Sequence, residues 1–482
     1  MEQESTQLYQ AYLARDSRFD GMFFIGVTST GIYCRPVCTA KTPKEENCRF
    51  FKNVEAAEKA GFRPCLKCRP ELAPGQAPVD SSHRLANSIV QHLERVMLEE
   101  GESLGSIADR FHLSSRQIRR IIQKEFGVSP MELVLTRRLL LAKQLIRDTS
   151  LPITEIAFAS GFSSIRRFND AFKIHYKLSP SHLRRTLKES FTETGDTLTL
   201  QLSYRPPYDW AGLLSFLRTR AMKGVEWVAG ERYLRTVQLG RQRGWFQAYQ
   251  APQKHALMVE ISYSLLPVLP TLLWSLRNLF DLNACPDVIS AHLRQNEWLK
   301  EAVSHNPGLR VPGAWNGFEL AVRAVLGQQI TVKAATTLAG RLVETFGEKI
   351  KTPYSELQYL PPTPQRLALA TVDELAALGI IRSRALTMIR LAEEVMAGRL
   401  QLDASAHPEK AIQKLTALPG IGKWTAHYIA MRALRWPDAF PKEDLALRKS
   451  LGKITPNQAE VLSQAWRPWR SYAVLHLWQT AI

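Results

Sequence analysis

The spacing of apolar residues changes at a few points along the chain. From about Ser81 to Lys188 it is helical and glycines are few, which predicts an all-helical block. The alternating runs Thr197–Ser203 and Ala256–Ser262 predict strands, so the next segment mixes sheet and helix. From about Leu276 to the end, the pattern predicts helices joined by short Gly and Pro turns.

Two breaks separate these regions. Residues 70–78 are rich in Pro and Gly, as linkers are, and residues 189–196 are polar. A chain of 482 residues exceeds the size at which one core usually keeps growing. The sequence therefore predicts a multidomain, mostly helical α+β protein. Its predicted domains are residues 1–78, 79–190, 191–284 and 285–482.

Charge and composition narrow the class of protein. The net charge of +18 suggests a polyanionic partner such as nucleic acid; a basic but uninvolved surface is the alternative. The N-terminus lacks the basic and apolar regions of a signal peptide. The apolar stretch from Ser264 to Trp274 is shorter than the roughly 20 residues of a membrane span. We expect a soluble, cytoplasmic monomer with no membrane partner.

Four of the six cysteines form two close pairs, Cys34 with Cys38 and Cys65 with Cys68. Thiolates at this spacing, on turns with Gly and Pro, predict one closed tetrahedral zinc site with four thiolate ligands. The alternatives are free core cysteines and a purely structural zinc knuckle. Cys48 has no place in the pattern.

The sequence around these pairs resembles the N-terminal domain of the Ada family of adaptive-response regulators. The resemblance lies in FDGMFFIGVTSTGIYCRPVC, which ends at Cys38, and AGFRPCLKCRP, which ends at Pro70. It implies a small α/β domain whose zinc-bound thiolate accepts a methyl group from a DNA methylphosphotriester; by position the acceptor is Cys34. Four thiolates leave the site negative and its sulfurs electron-rich. Methylation would reduce that charge and tighten DNA binding.

The helical block contains two helix-turn-helix patterns, which begin near Ser103 and Ile153. In each, a serine would cap the second helix: Ser114 or Ser115 in the first copy, and Ser163 or Ser164 in the second. Together they resemble an all-α AraC-type DNA-binding domain, which implies promoter DNA and RNA polymerase as partners. A packed helical domain with a solvated basic face is the alternative. The candidate groove-reading residues are Arg116, Gln117, Arg119, Arg120, Arg166, Arg167 and Asn169.

The segment LTALPGIGKWTAHYIA, from Leu415, is typical of a helix-hairpin-helix. Gly420 and Gly422 would let the hairpin backbone approach DNA, so that amides at the next helix start could bind phosphate oxygens. Residues 197–482 resemble the AlkA family of 3-methyladenine DNA glycosylases. The matching strings are PPYDW, FELAVRAVLGQ and WRPWRSYAVLHLW.

This resemblance implies an α+β glycosylase with a helix-hairpin-helix core that acts on alkylated double-stranded DNA. By motif position its catalytic carboxylate is Asp444, with Glu443 as the runner-up. Gln329 matches the wedge that fills the gap left by the flipped base, although the family member compared has an apolar residue there. His427 and His476 are interpreted as packing residues. The implied base-pocket aromatics, which core packing could also explain, are Phe216, Trp424, Tyr428 and Trp478.

Alkylation of a purine ring nitrogen makes the base cationic and a better leaving group, and the transition state resembles an oxocarbenium ion. Asp444 would stabilise that charge and orient or deprotonate water, after the nucleotide has left the stack. No cysteine follows Cys285, so no iron–sulfur cluster is expected. Lyase relatives carry Lys where this chain has Trp424, which predicts a monofunctional glycosylase.

The sequence as a whole predicts a protein of DNA alkylation repair and adaptive-response regulation. It would combine a 3-methyladenine glycosylase, a stoichiometric methyl acceptor and a sequence-specific DNA-binding module. One alternative is a methylation-responsive activator whose C-terminal half binds DNA without catalysis. Another alternative is a DNA-packaging protein, but that hypothesis explains neither the zinc ligands nor the carboxylate.

Overall fold

A computed structural model describes residues 2–16, 19–74, 86, 89–90, 92–93, 104–111, 113–186, 197–404 and 406–480. The linker residues 75–78, the polar break at 189–196 and the predicted limits at 78 and 190 lie outside this set. The chain folds into two compact units. One comprises Met1–Pro206, Ala251–Trp274 and Leu282–Ala284; the other comprises Pro207–Gln250, Ser275–Asp281 and Cys285–Ile482.

The first unit begins with a helix and a small mixed sheet. The order of its strands is β3 (Cys48–Phe51), β1 (Phe24–Val27), β2 (Ile32–Cys34) and β4 (Arg63–Pro64). Strands β2 and β4 are parallel, with Tyr33 opposite Pro64. Because parallel strands end at the same sheet edge, Cys34, the last residue of β2, and Cys65, which follows β4, become neighbours. The elements are α1 (Glu2–Leu13), β1 (Phe24–Val27), β2 (Ile32–Cys34), β3 (Cys48–Phe51), α2 (Val54–Lys59) and β4 (Arg63–Pro64).

The next region is helical and contains both predicted helix-turn-helix copies. Ser114 accepts a hydrogen bond from the Gln117 amide and Ser164 accepts one from the Arg167 amide, so these serines are the caps of the two second helices. The helices are α3 (Leu104–Arg110), α4 (Ser115–Phe126), α5 (Pro130–Asp148), α6 (Ile153–Ala159), α7 (Ile165–Tyr176) and α8 (Pro180–Arg185).

Helix α5 packs directly against the small sheet domain. Its Leu140 shares a core with Tyr33 and Phe62. Lys143 is 1% exposed, and its Nζ donates to the Cys65 carbonyl at 3.1 Å and to Glu71 at 2.7 Å. A charge this deeply buried must be paired. The cysteine domain and the helix-turn-helix block are therefore joined by a buried polar contact.

We expect Lys143→Met to destabilise this contact by about 3 kcal/mol, because the buried Glu71 carboxylate loses one of its two cationic partners, the other being Arg69. The measurement is the temperature at which the full-length protein releases zinc to a chromogenic chelator. Lys124→Met, at an exposed position of α4, is the matched control and should keep the wild-type temperature. Equal release temperatures for the two variants would show that the Lys143 contact contributes nothing.

A partly buried carboxyl group in this contact, that of Glu58, should make stability depend on pH. Glu58 accepts hydrogen bonds from Tyr33 Oη at 3.1 Å and Thr136 Oγ1 at 2.9 Å, and burial raises its pKa from 4.5 to about 7. The folded state then binds more protons than the unfolded state between these pH values, so stability should fall as pH rises through that window. Glu58→Gln should flatten this slope in denaturant titrations, whereas the exposed Glu46→Gln should retain it.

Both predicted strands form with the predicted bounds. β5 (Thr197–Ser203) and β9 (Ala256–Ser262) pair antiparallel, with Leu200 opposite Val259. In the second unit, β6 (Glu226–Ala229), β7 (Arg232–Leu239) and β8 (Gln242–Gln250) pair in succession, also antiparallel. This segment mixes sheet and helix, as the alternation of the sequence predicted.

Helices dominate the remainder, as predicted. A shared core joins α13 (Gly317–Leu326), α14 (Val332–Phe346), α17 (Arg382–Met396) and α19 (Lys423–Arg432). No helix in the described ranges has the length and apolar composition needed to cross a membrane. The predicted fold class, multidomain α+β and mostly helical, is confirmed. These elements are α9 (Trp210–Arg220), α10 (Leu269–Leu279), α11 (Pro286–Leu293), α12 (Glu297–His305), α13 (Gly317–Leu326), α14 (Val332–Phe346), β10 (Glu348–Lys349), β11 (Tyr359–Leu360), α15 (Pro364–Ala368), α16 (Val372–Ala377), α17 (Arg382–Met396), α18 (Pro408–Ala417), α19 (Lys423–Arg432), α20 (Leu445–Ser450), α21 (Pro456–Leu462) and α22 (Arg470–Thr480).

Candidate functional site

The four paired cysteines converge at the edge of the small sheet. The sulfurs of Cys34, Cys38, Cys65 and Cys68 all lie within 4.8 Å of one another, and only Cys68 is more than slightly exposed. Backbone amides donate to two of them: that of Arg35 to Cys68 Sγ at 3.3 Å and that of Lys67 to Cys65 Sγ at 3.4 Å. Soft donors in a compact set, with amides that offset negative charge, fit a zinc ion with thiolate ligands.

Arg35 stabilises this cluster through hydrogen bonds, a role that the sequence analysis missed. Its Nε donates to Asp20 Oδ1 at 2.8 Å and its Nη1 donates to the Cys68 carbonyl at 3.1 Å. The side chain is 8% exposed. Because Arg35 follows Cys34 directly, its hydrogen bond to the Cys68 carbonyl links the first cysteine pair to the second, and the ion pair with Asp20 orients the guanidinium group. The Cys-Arg-Pro string drew attention to Arg35. Its partner Asp20 lies 15 residues earlier in the chain, so no local pattern indicated that the two side chains pair.

Cys48 stands apart from the cluster, as the spacing predicted. Its Sγ donates to the Lys44 carbonyl at 3.4 Å, and burial raises its pKa to about 11. A thiol held protonated in this way is a poor nucleophile and a poor metal ligand at neutral pH.

The candidate groove-reading side chains lie on the solvent faces of α4 and α7. In each helix an apolar residue at the fourth position after the cap is buried, Ile118 in α4 and Phe168 in α7, and this fixes which face points outward. The predicted residues, all exposed, are Arg116, Gln117, Arg119, Arg120, Arg166, Arg167 and Asn169.

The second unit contains a large open cavity with a volume of about 650 Å³. The structure brings together here Asp444 and all four aromatic residues assigned to the base pocket. A drug-sized ligand site typically spans about 300–1,000 Å³, so the cavity has room for a nucleobase. The predicted residues in its wall are Phe216, Trp424, Tyr428, Asp444 and Trp478.

Asp444 is 9% exposed and is held by three donors. The indole Nε1 of Trp424 donates to Oδ2 at 2.7 Å, and that of Trp478 donates to Oδ1 at 3.0 Å. Oδ1 also accepts the Leu447 amide at 2.8 Å, because Asp444 caps α20. Carboxylates at helix N-termini are favoured by the amides and the helix dipole. The geometry therefore fixes the position of the Asp444 side chain in the cavity wall.

Glu443, the runner-up, is placed differently. It is not among the residues that line the cavity. Its Oε2 atom is buried and has no hydrogen-bond partner within the described part of the chain. The two adjacent carboxyl groups thus have different surroundings, and only that of Asp444 faces the cavity.

The aromatic residues form a stacked wall beside the carboxylate. Trp424 and Tyr428 lie one helical turn apart on α19, and their rings stack with centroids 5.4 Å apart and 5° between planes. Tyr428 and Trp478 follow at 6.4 Å and 40°. The parallel rings of Trp424 and Tyr428 offer a flat apolar face to a planar ligand.

Two arginines join this wall that the sequence analysis did not assign, Arg220 and Arg432. Their guanidinium carbons lie 3.9 Å and 4.9 Å from the centroid of Phe216, and Arg432 Nη1 donates to Tyr428 Oη at 2.7 Å. Each arginine follows its aromatic partner by four residues, on the same helix face. This four-residue spacing could have suggested an arginine–aromatic contact, although the same spacing is equally common on helix faces exposed to solvent.

The two hairpin glycines, Gly420 and Gly422, differ in whether a side chain would fit at their position. Gly420 has φ of +88°, and a Cβ there would lie 2.1 Å from Thr387 Oγ1, so only glycine fits. Gly422 precedes α19 with φ of −82°, and no atom lies within 4 Å of a Cβ built there. The backbone at Gly422 therefore stands open in front of the helix N-terminus, where phosphate oxygens bind readily.

Gln329 is exposed and has φ of +55°. It is not a cavity-lining residue, although its neighbour Ile330 is. The adjacent Gln328 donates to the Gly420 carbonyl at 2.8 Å, which fixes this loop against the hairpin. Gln329 is thus exposed to solvent next to a residue that lines the cavity.

His427 and His476 lie outside the cavity lining. Burial lowers the pKa of both, and that of His476 to about 4. The Nδ1 atom of each is buried without a hydrogen-bond partner among the described residues. Neutral imidazoles of this kind agree with the packing role expected from the sequence.

Four protein-family models match the chain in succession. One relative, named "Probable bifunctional transcriptional activator/DNA repair enzyme AlkA" in Mycobacterium tuberculosis, is 36% identical over 100% of this chain and 97% of its own length. The models are the metal binding domain of Ada (7–71), a helix-turn-helix domain (107–186), the AlkA N-terminal domain (199–316) and the HhH-GPD superfamily of base excision DNA repair proteins (322–470).

Two other comparisons concern the C-terminal part. "DNA-3-methyladenine glycosylase 2" of Escherichia coli (strain K12) is 37% identical over 58% of this chain and 96% of that protein. The solved 3-methyladenine DNA-glycosylase from Archaeoglobus fulgidus has a TM-score of 0.53 and 20% identity, and covers 58% of this chain and 98% of that one; this likeness supports the fold. The full-length match shows that the chain belongs to the AlkA-type family of bifunctional transcriptional activator/DNA repair enzymes.

Proposed function

We propose that the C-terminal part is a monofunctional DNA glycosylase that hydrolyses the N-glycosidic bond of alkylated bases. The observation that carries this proposal is the placement of Asp444: an acidic side chain that accepts hydrogen bonds from two indoles and one backbone amide in the wall of a base-sized cavity. The 37% identity to a protein named as a 3-methyladenine glycosylase supports the same substrate class.

In this reaction the target nucleotide leaves the stack and its base enters the cavity against Trp424 and Tyr428. As the C1′–N bond breaks, its electron pair stays on the base and positive charge develops on the sugar. The Asp444 carboxylate stabilises that charge and accepts a proton from the water that bonds to C1′. The products are a free base and an abasic site. Gln329 would fill the vacated stack, and the hairpin at Gly420 and Gly422 would hold the backbone.

The N-terminal domain is proposed to accept methyl groups from DNA methylphosphotriesters on Cys34. A lone pair of the Cys34 sulfur attacks the methyl carbon, the methyl–oxygen bond breaks, and its electrons remain on the phosphate oxygen as a diester anion. The four clustered cysteines would hold the zinc ion, which would supply the positive charge that keeps their sulfurs deprotonated at neutral pH. The loss of one negative charge at the sulfur weakens repulsion of phosphate, so DNA binding by the neighbouring helix-turn-helix should tighten. Activation would then act through RNA polymerase.

The glycosylase proposal is tested with the full-length protein and duplex DNA that contains one 7-methylguanine. We expect release of the free base and an intact strand with an abasic site, which breaks only on alkaline heating. Strand cleavage through a Schiff base would contradict a monofunctional enzyme. Binding of the DNA without base release under every condition would favour a methylation-responsive activator whose C-terminal half has no catalysis.

A further inference from the structure

One side chain to which the proposed reaction gives no role, that of Gln328, connects two DNA-contacting parts of the glycosylase. Gln328 belongs to the segment between α13 and α14, residues 327–331, which also carries Gln329 and which we call the wedge loop. Its Nε2 atom donates to two acceptors outside the wedge loop, the Gly420 carbonyl at 2.8 Å and Thr425 Oγ1 at 3.0 Å. The wedge loop is therefore bonded both to the hairpin and to α19.

Helix α17 supports both sides of this connection. Thr387 Oγ1 donates to the Pro419 carbonyl in the hairpin at 2.9 Å. Arg384, one turn earlier on α17, donates to the backbone carbonyl of Gln328. Both side chains are buried, since Thr387 is 3% and Arg384 is 9% exposed. The hairpin and the wedge loop are thus fixed to a common helix as well as to each other.

The backbone of Gln329 needs such support. Its φ of +55° lies in the left-handed region, which a residue with a Cβ adopts only at a cost in free energy. Conformations of this kind persist where the surrounding structure determines them. Gln328 fixes the chain on one side of Gln329, and on the other side Thr331 Oγ1 caps α14 by accepting a hydrogen bond from the Ala334 amide at 3.2 Å.

A residue that fills the gap left by a base is most effective if it is held in place before the base leaves. An extruded nucleotide tends to return, because its pairing and stacking are lost outside the duplex. A side chain in the gap opposes this return, and preorganisation removes the cost of ordering that side chain in the complex. Through Gln328, the wedge loop keeps a fixed distance from the hairpin backbone, which is proposed to hold a DNA phosphate.

We propose that Gln328 is a positioning residue for base extrusion: it holds Gln329 at a set distance from the hairpin, so that phosphate binding places Gln329 in the duplex. The inference rests on the proposed glycosylase function and on the proposed role of Gln329. Gln328 does not line the base cavity. It therefore acts through Gln329 and not on the bond that breaks.

The test is a double-mutant cycle on single-turnover release of 7-methylguanine from duplex DNA by the full-length protein. Gln328→Met keeps the length of the side chain without its donor, and should slow release roughly 10-fold, as the loss of two neutral hydrogen bonds predicts. Gln329→Gly removes the side chain and suits a positive φ. Because Gln328 acts through Gln329, the double variant should be no slower than Gln329→Gly alone. The control is Gln365→Met, at an exposed position of α15, which should keep the wild-type rate.

A fluorescent base analogue measures the extrusion step itself. The fluorescence of 2-aminopurine is quenched by stacking, so an analogue placed next to the lesion should brighten when the lesion leaves the stack. Gln328→Met and Gln329→Gly should both lower the amplitude of this rise, whereas a purely structural role of Gln328 would leave it unchanged in the folded protein. Thr425→Val removes one of the two acceptors at nearly constant volume. It should give a smaller loss with the same pattern, and it decides the question if Gln328→Met does not fold.

The outcomes separate this inference from the function on which it rests. A wild-type rate in Gln328→Met, or losses that multiply in the double variant, would overturn the positioning role. A wild-type rate in Gln329→Gly would remove the role of Gln329 and this inference with it, while the glycosylase function stood. Release of no base by the wild-type protein would instead refute the glycosylase function.

Discussion

Replacing Asp444 with Asn should slow release of alkylated bases roughly 10³-fold, since both charge stabilisation and the proton acceptor are lost. The substitution preserves volume, and the Asn Oδ1 atom can still accept a hydrogen bond from the Leu447 amide and so cap α20. One indole donor would face an amide group instead of an oxygen, so a small loss of stability is expected. The measurement is single-turnover release of 7-methylguanine, with binding to abasic DNA followed in parallel.

The adjacent carboxyl group supplies the matched control. Glu443→Gln removes a negative charge one residue away, but from a side chain that does not line the cavity. Its rate should stay close to that of the wild-type protein. If Glu443→Gln abolished release while Asp444→Asn retained it, the roles assigned to the two residues would be reversed. If both retained it, the carboxylate mechanism would be wrong.

The sequence predicted those parts of the sites whose residues lie close together in the chain. The cysteine pairs are such a case, because ligand spacing within each pair is set by a tight turn. The parallel pairing of β2 and β4 that joins Cys34 to Cys65 could not be read from spacing alone. The motif pointed to Asp444 as the candidate carboxylate, but it gave no sign that the indoles of Trp424 and Trp478 donate hydrogen bonds to it, because such long-range contacts leave no local sequence pattern.

The missed residues share one property: their partners are distant in sequence. Lys143 lies on a helix whose pattern gives no reason to bury a lysine, and its partners Cys65 and Glu71 belong to another domain. Likewise Arg432 follows Tyr428 at a spacing typical of solvated helix faces, yet its acceptors are the carbonyls of Pro312 and Gly313. Tertiary packing decides whether such a charge is buried or solvated.

Exposure of the full-length protein to DNA rich in methylphosphotriesters should add the mass of one methyl group, in place of a proton, to Cys34. Tandem mass spectrometry of the cysteine-bearing peptides assigns the modified sulfur. Cys34→Ser should abolish the transfer, because a serine hydroxyl is far less acidic and less nucleophilic than a metal-bound thiolate. It should also weaken zinc retention, since one of four ligands is lost. Cys48→Ser, outside the cluster, should transfer methyl groups and retain zinc as the wild-type protein does.

Zinc retention alone cannot identify the acceptor, so Cys38→Ser, Cys65→Ser and Cys68→Ser complete the experiment. Each should weaken the metal site, and in any of them that still holds zinc the methyl group should appear on Cys34. Methylation of a different sulfur in the wild-type protein would contradict the assignment. Because loss of one thiolate charge weakens phosphate repulsion, the methylated protein should also bind promoter DNA more tightly at low salt, and this gain should shrink as salt screens the charges.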